Sequence, residues 1–361
     1  MNPNRPMTRS RPITRNAVAV LVGLEVRQRI RSTRWQVTAG ILFALISVMV
    51  LGSLYLTVTV AGGAYADWAS NLLDIVLAVV LFLGLAAAPT LSATAINGDR
   101  RDATLALVQA TPISSWDLAV GKLLGSWLSA LALIGVALPY LLWGIASSST
   151  SILFGVLAVV VLALIMLAYC AIGLAFSSLT TRPAASAMLT QAMVLLLLLG
   201  LPIAFGFTYP LTSRTHQVTV AERDYSVDSS VPGCVLVEKD KRFHHTEYTW
   251  WLLAPNPVLL VSDTLAAGIA GSSDDDDFHG ASGFFAFLQS AARSGPDLSP
   301  QTCESALTPG PSSDDRAAGH IGDSWYIGLI LTLGVGAAAL IVAARRLRVP
   351  AHKLGRGVRV A

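Results

Sequence analysis

The apolar residues of this chain fall in long blocks separated by short polar stretches, without the alternation of a half-buried strand. A helix crossing the ~30 Å hydrocarbon layer needs about 20 mostly apolar residues, because its backbone amides must be satisfied within the segment. Six blocks meet that length: Val37–Val60, Leu72–Ala93, Leu118–Ile145, Ile152–Ser177, Ala187–Tyr209 and Ser324–Ala344. One such block can be a buried helix of a large soluble protein. Six in one chain predict an all-α polytopic membrane protein. Composition agrees, since 53% of the residues are hydrophobic and only 13% are charged, against roughly 25% charged in a soluble domain.

Lys and Arg orient the spans, because they accumulate on the cytoplasmic side. The leader holds eight arginines, the connection Ala61–Asn71 holds no basic residue, and the second connection holds Arg100 and Arg101 with Lys122 just inside the next span. The third connection, Ala146–Ser151, is uncharged, the fourth carries Arg182, and the tail carries Arg345, Arg346, Arg348, Lys353, Arg356 and Arg359. Positive and uncharged connections alternate, which puts both termini in the cytoplasm. The fifth connection, Pro210–Asp323, has 7 Lys/Arg against 16 Asp/Glu, a net −9, so the remainder carries +12 of the chain's +3.

The expected organisation is a cytoplasmic leader (1–36), spans one to five (37–209) with a cytoplasmic loop (94–117), a large extracellular insertion (210–323), a sixth span (324–344) and a basic tail (345–361). Ala64-Tyr65-Ala66 resembles a signal-peptide cleavage site, but the preceding apolar run is too long for a signal h-region and reads as an uncleaved anchor. Within the insertion, the apolar stretch Trp250–Ala270 is broken by Pro255 and Pro257 and reads as an interfacial or re-entrant helix.

Basic residues without interleaved aromatics give no nucleic-acid platform. Arginine outnumbers lysine 21 to 4, the habit of a GC-rich bacterial genome, which makes the plasma (inner) membrane the expected location. Cys170 lies in the fourth span, whereas Cys234 and Cys303 share the oxidising exterior and are expected to form a disulfide.

Two cytoplasmic segments carry the candidate chemistry. Val18, Val22, Val26 and Ile30 recur on one helical stripe with Arg27, Arg31 and Arg34 turned away, and Glu25 and Arg29 form an i,i+4 pair. This is an amphipathic helix expected to lie on the lipids of the inner leaflet. In the second connection, Asp99 and Asp102 can cap a short helix that Thr111-Pro112 ends, after which Ser114 or Ser115 can cap the third span. A short helix joining two spans suits the groove of a soluble partner.

The run Gly98-Asp99-Arg100-Arg101-Asp102-Ala103-Thr104-Leu105, followed by Gln109-Ala110-Thr111-Pro112-Ile113-Ser114 and Gly121-Lys122, resembles the coupling-loop signature of ABC type-2 transporter permeases. Asp99 stands where that signature has glutamate and Ala103 where it has glycine. Trp250 to Val258 resembles the Pro-Asn-Pro segment before the last span of many actinobacterial members. The resemblance implies an exporter half, in which two permeases, identical or homologous, form the pathway and two cytoplasmic ATPase subunits drive it. It implies that Asp99, Arg100, Arg101, Asp102, Leu105, Leu107, Thr111 and Pro112 dock the ATPase. Independently, the sequence has no G-x-x-x-x-G-K-[ST] phosphate loop, so hydrolysis is expected in a partner, with no cofactor or metal in this chain.

Rival classes are weaker. Gly280-Ala281-Ser282-Gly283 matches the short pattern of rhomboid proteases, but no span holds a histidine base. An ion-coupled carrier needs ionisable groups at mid-membrane, and Asp74 lies near the outer end of its span. Asp274–Asp277 lacks the spacing of a calcium loop, and His244, His245 and Glu247 read as exposed rather than as zinc ligands. A non-transporting subunit that passes force from an ATPase to an external partner is the alternative function.

Overall fold

A computed structural model describes residues 15–101, 113–224, 233–268, 281–303 and 319–347. Among these residues, six helical runs are long and apolar enough to cross a membrane: Trp35–Val60, Leu72–Arg101, Ser115–Val136, Ile152–Leu179, Pro183–Thr212 and Trp325–Arg346. The chain divides into two compact units, Met1–Ser148 with Val156–Leu196 and Leu329–Ala361, and Ser149–Gly155 with Leu197–Gly328.

In the first unit, α1 (Arg15–Ile30) is followed by α2 (Thr33–Leu54), whose last turns widen into a π segment at Tyr55–Val60. Ser32 caps α2 by accepting from the Trp35 amide. A short α3 (Tyr65–Ser70) leads into α4 (Leu72–Ala93), which breaks at Thr94 and continues as α5 (Ala95–Arg101). The expected third span is two helices, α6 (Ser115–Val136) and α7 (Leu138–Ser147). They part at Ala137 because Pro139, at the start of α7, has no N–H to continue the ladder. Of the two candidate caps, Ser114 is the one used, in a reciprocal capping box with Asp117.

α8 (Ile152–Leu179) supplies most of the buried wall, with Leu162, Ile165, Met166, Tyr169 and Leu174 fully covered. Its Cys170 is buried and donates to the Ala88 carbonyl, so the thiol is part of the packing. α9 (Pro183–Leu195) begins the fifth span, which passes through a π segment at Leu196–Gly200 into α10 (Leu201–Thr208). In the first unit, Gln191 reaches from α9 to the Ala86 carbonyl at 2.9 Å, one turn before Pro89 of α4.

The second unit is not all helical. β1 (Ser213–Asp224) pairs antiparallel with β2 (Gly233–His244), in register from Ser213 opposite His244 to Asp224 opposite Gly233. This hairpin modifies the all-α expectation. Cys234 and Cys303 form the expected disulfide. Gln301 adds to the β1 edge, its amide donating to the Thr219 carbonyl at 3.0 Å and its side chain accepting from the Ala221 amide. The stretch expected as one interfacial helix is a 3-10 turn at Trp250–Leu252 followed by α11 (Pro257–Ala266). α12 (Ala281–Ser294) follows, and α13 (Trp325–Arg346) is the sixth span.

Candidate functional site

α1 does not lie apart from the spans. It packs against the start of α6 at two glycines that admit no side chain. A Cβ on Gly121 would stand 2.9 Å from that of Leu21, and one on Gly125 would stand 2.6 Å from that of Glu25. Small residues at such crossings let two helices approach closely. This approach brings Lys122, whose side chain is only 4% exposed, within 2.8 Å of Glu25 Oε1 and 2.5 Å of Asp99 Oδ2. Glu25 Oε2 also meets Arg29 at 3.3 Å, and Arg29 donates to the Ser126 hydroxyl.

Two acids and two bases thus form one neutral chain, Asp99–Lys122–Glu25–Arg29, joining α5, α6 and α1. Burial pushes the Glu25 carboxyl up, but the adjacent Lys122 and Arg29 outweigh it and hold the group below its ordinary value. A buried ammonium needs such partners, which explains why the Gly-Lys pair and the acid at position 99 occur together.

The apolar stripe of α1 is placed differently from the expectation. Val18, Val22 and Val26 are half-buried and Ile30 is exposed, while the apolar residues most open to lipid are Val20 and Leu24. The face carrying Leu21, Glu25 and Arg29 turns inward because only there can Glu25 meet Lys122.

α5 is also set differently. Asp99 is not an N-cap, for the helix has already begun at Ala95. The amides of Ile96 and Asn97, left without carbonyls at the Thr94 break, both donate to the Ser177 hydroxyl of α8, at 3.0 and 3.2 Å. The Asn97 amide and the Thr180 hydroxyl lie 3.1 Å apart, and Arg100 donates to the Thr180 carbonyl at 3.5 Å. Arg101 is exposed. Asp102, Leu105, Leu107, Thr111 and Pro112 lie outside the described residues.

A second polar construction, absent from the expected sites, occupies the second unit. Asn256 caps α11 by accepting from the Val258 and Leu259 amides. Its Nδ2 donates to the Leu198 carbonyl at 2.8 Å and approaches that of Leu197 at 3.4 Å. Pro202 is the reason these acceptors are free, since it has no N–H for the carbonyl one turn earlier. Seven residues beyond Asn256, Asp263 is fully buried. It accepts from the Gly322 amide at 2.9 Å and from the Ser324 amide and hydroxyl at 3.0 and 2.9 Å. Burial raises its pKa, and these hydrogen bonds only partly offset that. One short helix therefore holds both the π segment of the fifth span and the lead-in to the sixth. The available signals were one acid inside an apolar stretch and the Asn between two prolines.

His245, expected to be exposed, is buried. Its Nδ1 lies 2.5 Å from Glu247, its Nε2 lies 2.8 Å from His216 Nε2, and the Tyr248 ring stacks on it. Among the described residues, no group of three His, Cys, Asp or Glu is placed to hold a metal.

Six apolar helices among the described residues, with a charged junction at the head of the third, define a polytopic membrane protein. The family model for ABC-2 family transporter proteins matches residues 19–291, and the chain belongs to that family. It is therefore a membrane subunit of the kind that associates with ABC ATPase subunits. No curated protein matches the chain.

Proposed function

We propose that the chain is the permease subunit of an ABC exporter in a bacterial plasma membrane, with both termini cytoplasmic and the acidic insertion outside. It pairs with a second permease, identical or homologous, and two cytoplasmic ATPase subunits drive the pair. The observation that supports coupling is the buried Lys122, bonded at once to Asp99 and to Glu25. Asp99 leads into the stretch expected to meet the ATPase, so a push there reaches α6 and α1 together through charge contacts. In this reading Arg100, Arg101, Asp102, Leu105, Leu107, Thr111 and Pro112 face the ATPase, while Asp99 serves the internal junction. The first and fifth spans expose many large apolar residues, among them Val48, Met49, Met188 and Leu195, which suits contact with the second permease and with lipid.

The experiment is co-purification of the full-length protein with its ATPase, followed by ATPase assays. Arg101→Glu should weaken capture by setting like charges against each other in a charged contact, and Leu107→Glu by burying a charge in an apolar one. Lys122→Met should keep the ATPase bound but abolish its stimulation by substrate. Retention and normal stimulation in all three variants would refute this docking and coupling scheme. A bound, active ATPase with no movement of any substrate would instead favour the force-transmitting alternative.

A further inference from the structure

We infer that the root of the hairpin is an acid-sensitive clasp, in which His216 of β1 and His245 just beyond β2 hold each other until both rings are charged, and then part. The clasp lies wholly within the second unit and does not depend on the export reading.

Three of the chain's six histidines stand at this root, where β1 follows the turn Tyr209–Thr212 and β2 runs into a 3-10 turn at Thr246–Tyr248. His245 is buried, and its Nδ1 meets Glu247 Oε1 at 2.5 Å. An ionised carboxylate only accepts, so that nitrogen carries the proton. The Nε2 of neutral His245 is then bare and accepts from His216 Nε2–H at 2.8 Å. The next proton goes to Nδ1 of His216, and the bond survives it. His244 is held differently. Its ring stacks on Tyr209 at 4.0 Å and its Nδ1 lies 3.0 Å from the Tyr209 carbonyl, a bond that Nδ1–H makes in either charge state.

A second proton has no such place. Both Nε2 atoms would then carry hydrogen, and two donors would face each other at hydrogen-bond distance. The surroundings sharpen the conflict. The register sets Lys241 directly across from His216, with Arg214 two residues before it on the same face, and both cations are exposed. Lys239, further along that face, is already paired with Glu222. Phe243 packs 6.2 Å from His216, Tyr248 stacks on His245, and Arg293 of α12 lies over Trp250. Glu247 is the acid that meets the pair, and it is held on the His245 side. Gly295, after α12, closes on it so tightly that a Cβ there would stand 2.5 Å from Oε2. With the hairpin swung clear, both rings accept protons, so the open form holds one proton more than the clasped form. Each unit fall in pH then favours opening by about tenfold. Imidazole is the side chain whose charge changes between about pH 5 and 8, which is the range in which the clasp works. Cys234–Cys303 ties the far end of the hairpin, so the hairpin pivots and does not detach.

The test measures the distance between nitroxide labels at Gln217→Cys on β1 and Leu288→Cys on α12, both exposed positions, by double electron–electron resonance. It uses the full-length protein in nanodiscs, where buffer reaches both faces. One narrow distance is expected at about pH 7.5, and toward about pH 5 a second, displaced population should grow about tenfold per unit. His216→Gln, which donates or accepts without titrating, should hold the single distance throughout. Lys241→Gln should carry the release to lower pH, and His244→Gln should leave it where the parent has it. A parent distance that does not change with pH would overturn the inference. So would release that persists in His216→Gln or that His244→Gln abolishes. Should His216→Gln fail to fold, shown by a broad distance already at about pH 7.5, Lys241→Gln decides, and release at the parent's pH in that variant refutes the clasp.

Discussion

Lys122→Met removes the ammonium at the centre of the junction while keeping a side chain of similar length in the same slot between α1 and α6. Glu25 then retains Arg29 at 3.3 Å, but both it and Asp99 lose their shared partner. Removing one member of a buried ion pair typically costs about 3–5 kcal/mol. The Glu25 and Asp99 side chains are 18% and 30% exposed, so water screens them in part and the lower figure, about 3 kcal/mol, applies. That corresponds to roughly a 150-fold change in a local equilibrium. The loss falls on the docking of α1, whose remaining hold on α6 runs through Leu21, Val22 and the Arg29–Ser126 hydrogen bond. Hydrogen exchange on the full-length protein in nanodiscs reads this directly. Amides of α1 should exchange on the order of a hundred times faster, with those of α8 unchanged, because opening is local. The variant combining Asp99→Asn with Lys122→Met should recover much of the protection, since Glu25 keeps Arg29 and no carboxylate is then left without a partner. Exchange of α1 within a few-fold of the parent in Lys122→Met, or no recovery in the combined variant, would refute the junction.

The lowered pKa of Glu25 means that the folded protein binds fewer protons there than the unfolded chain. Its contribution to stability is present above the ordinary carboxylate range and is lost as pH falls through the lowered value, so α1 protection should decline on acidification. For Asn256, Asn256→Ala should lower the melting temperature in the parent but much less in a Pro202→Ala background, where a restored N–H meets the Leu198 carbonyl; equal losses would sink that account. Reducing Cys234–Cys303, which closes 69 residues, should remove roughly 4 kcal/mol and make the hairpin more sensitive to protease, read by mass spectrometry. A cysteine replacing Glu238 should label in intact cells and one replacing Thr181 should not, and the opposite pattern would invert the topology.

Much of the fold was legible because a membrane imposes a single strong rule, and six apolar runs satisfy it, although the second runs on to Arg101 and the third ends at Val136, nine residues short. The Glu25–Arg29 pair and the Cys234–Cys303 bridge were legible from local spacing and compartment. The junction was legible only as fragments. Asp99, Lys122 and Glu25 belong to three elements, and nothing in their spacing says that Gly121 and Gly125 bring α1 close enough to join them. Asp99 was therefore assigned only to a partner, and its contact with Lys122 of its own chain was not foreseen. The hairpin was missed because the alternation of Gln217-Val218-Thr219-Val220 is short, and its partner Cys234-Val235-Leu236-Val237 does not alternate. Trp250–Ala270 was read as one helix because apolarity masks the Asn256 cap that starts a new one.

Hydropathy treats the polar residues inside apolar segments as tolerated exceptions, yet several of them answer a particular gap in the backbone. Ser177 supplies the acceptor that the Ile96 and Asn97 amides lack at the Thr94 break. Asn256 supplies the donor that Pro202 cannot give to the Leu198 carbonyl. Asp263 takes the amides that lead into α13. An unsatisfied backbone group in hydrocarbon costs several kcal/mol, so a side chain from elsewhere that meets a break or proline in a span stabilises it there. The break and its partner are then one feature written at two distant places in the sequence. In this chain they tie α5 to α8 and, in the second unit, α11 to the π segment before α10. The segments expected to receive the ATPase and to enter the last span are thereby held by side chains rather than by an unbroken helical ladder. Hydrogen bonds of that kind can exchange partners without unwinding a span, which is what a subunit needs if it is to be moved from one end.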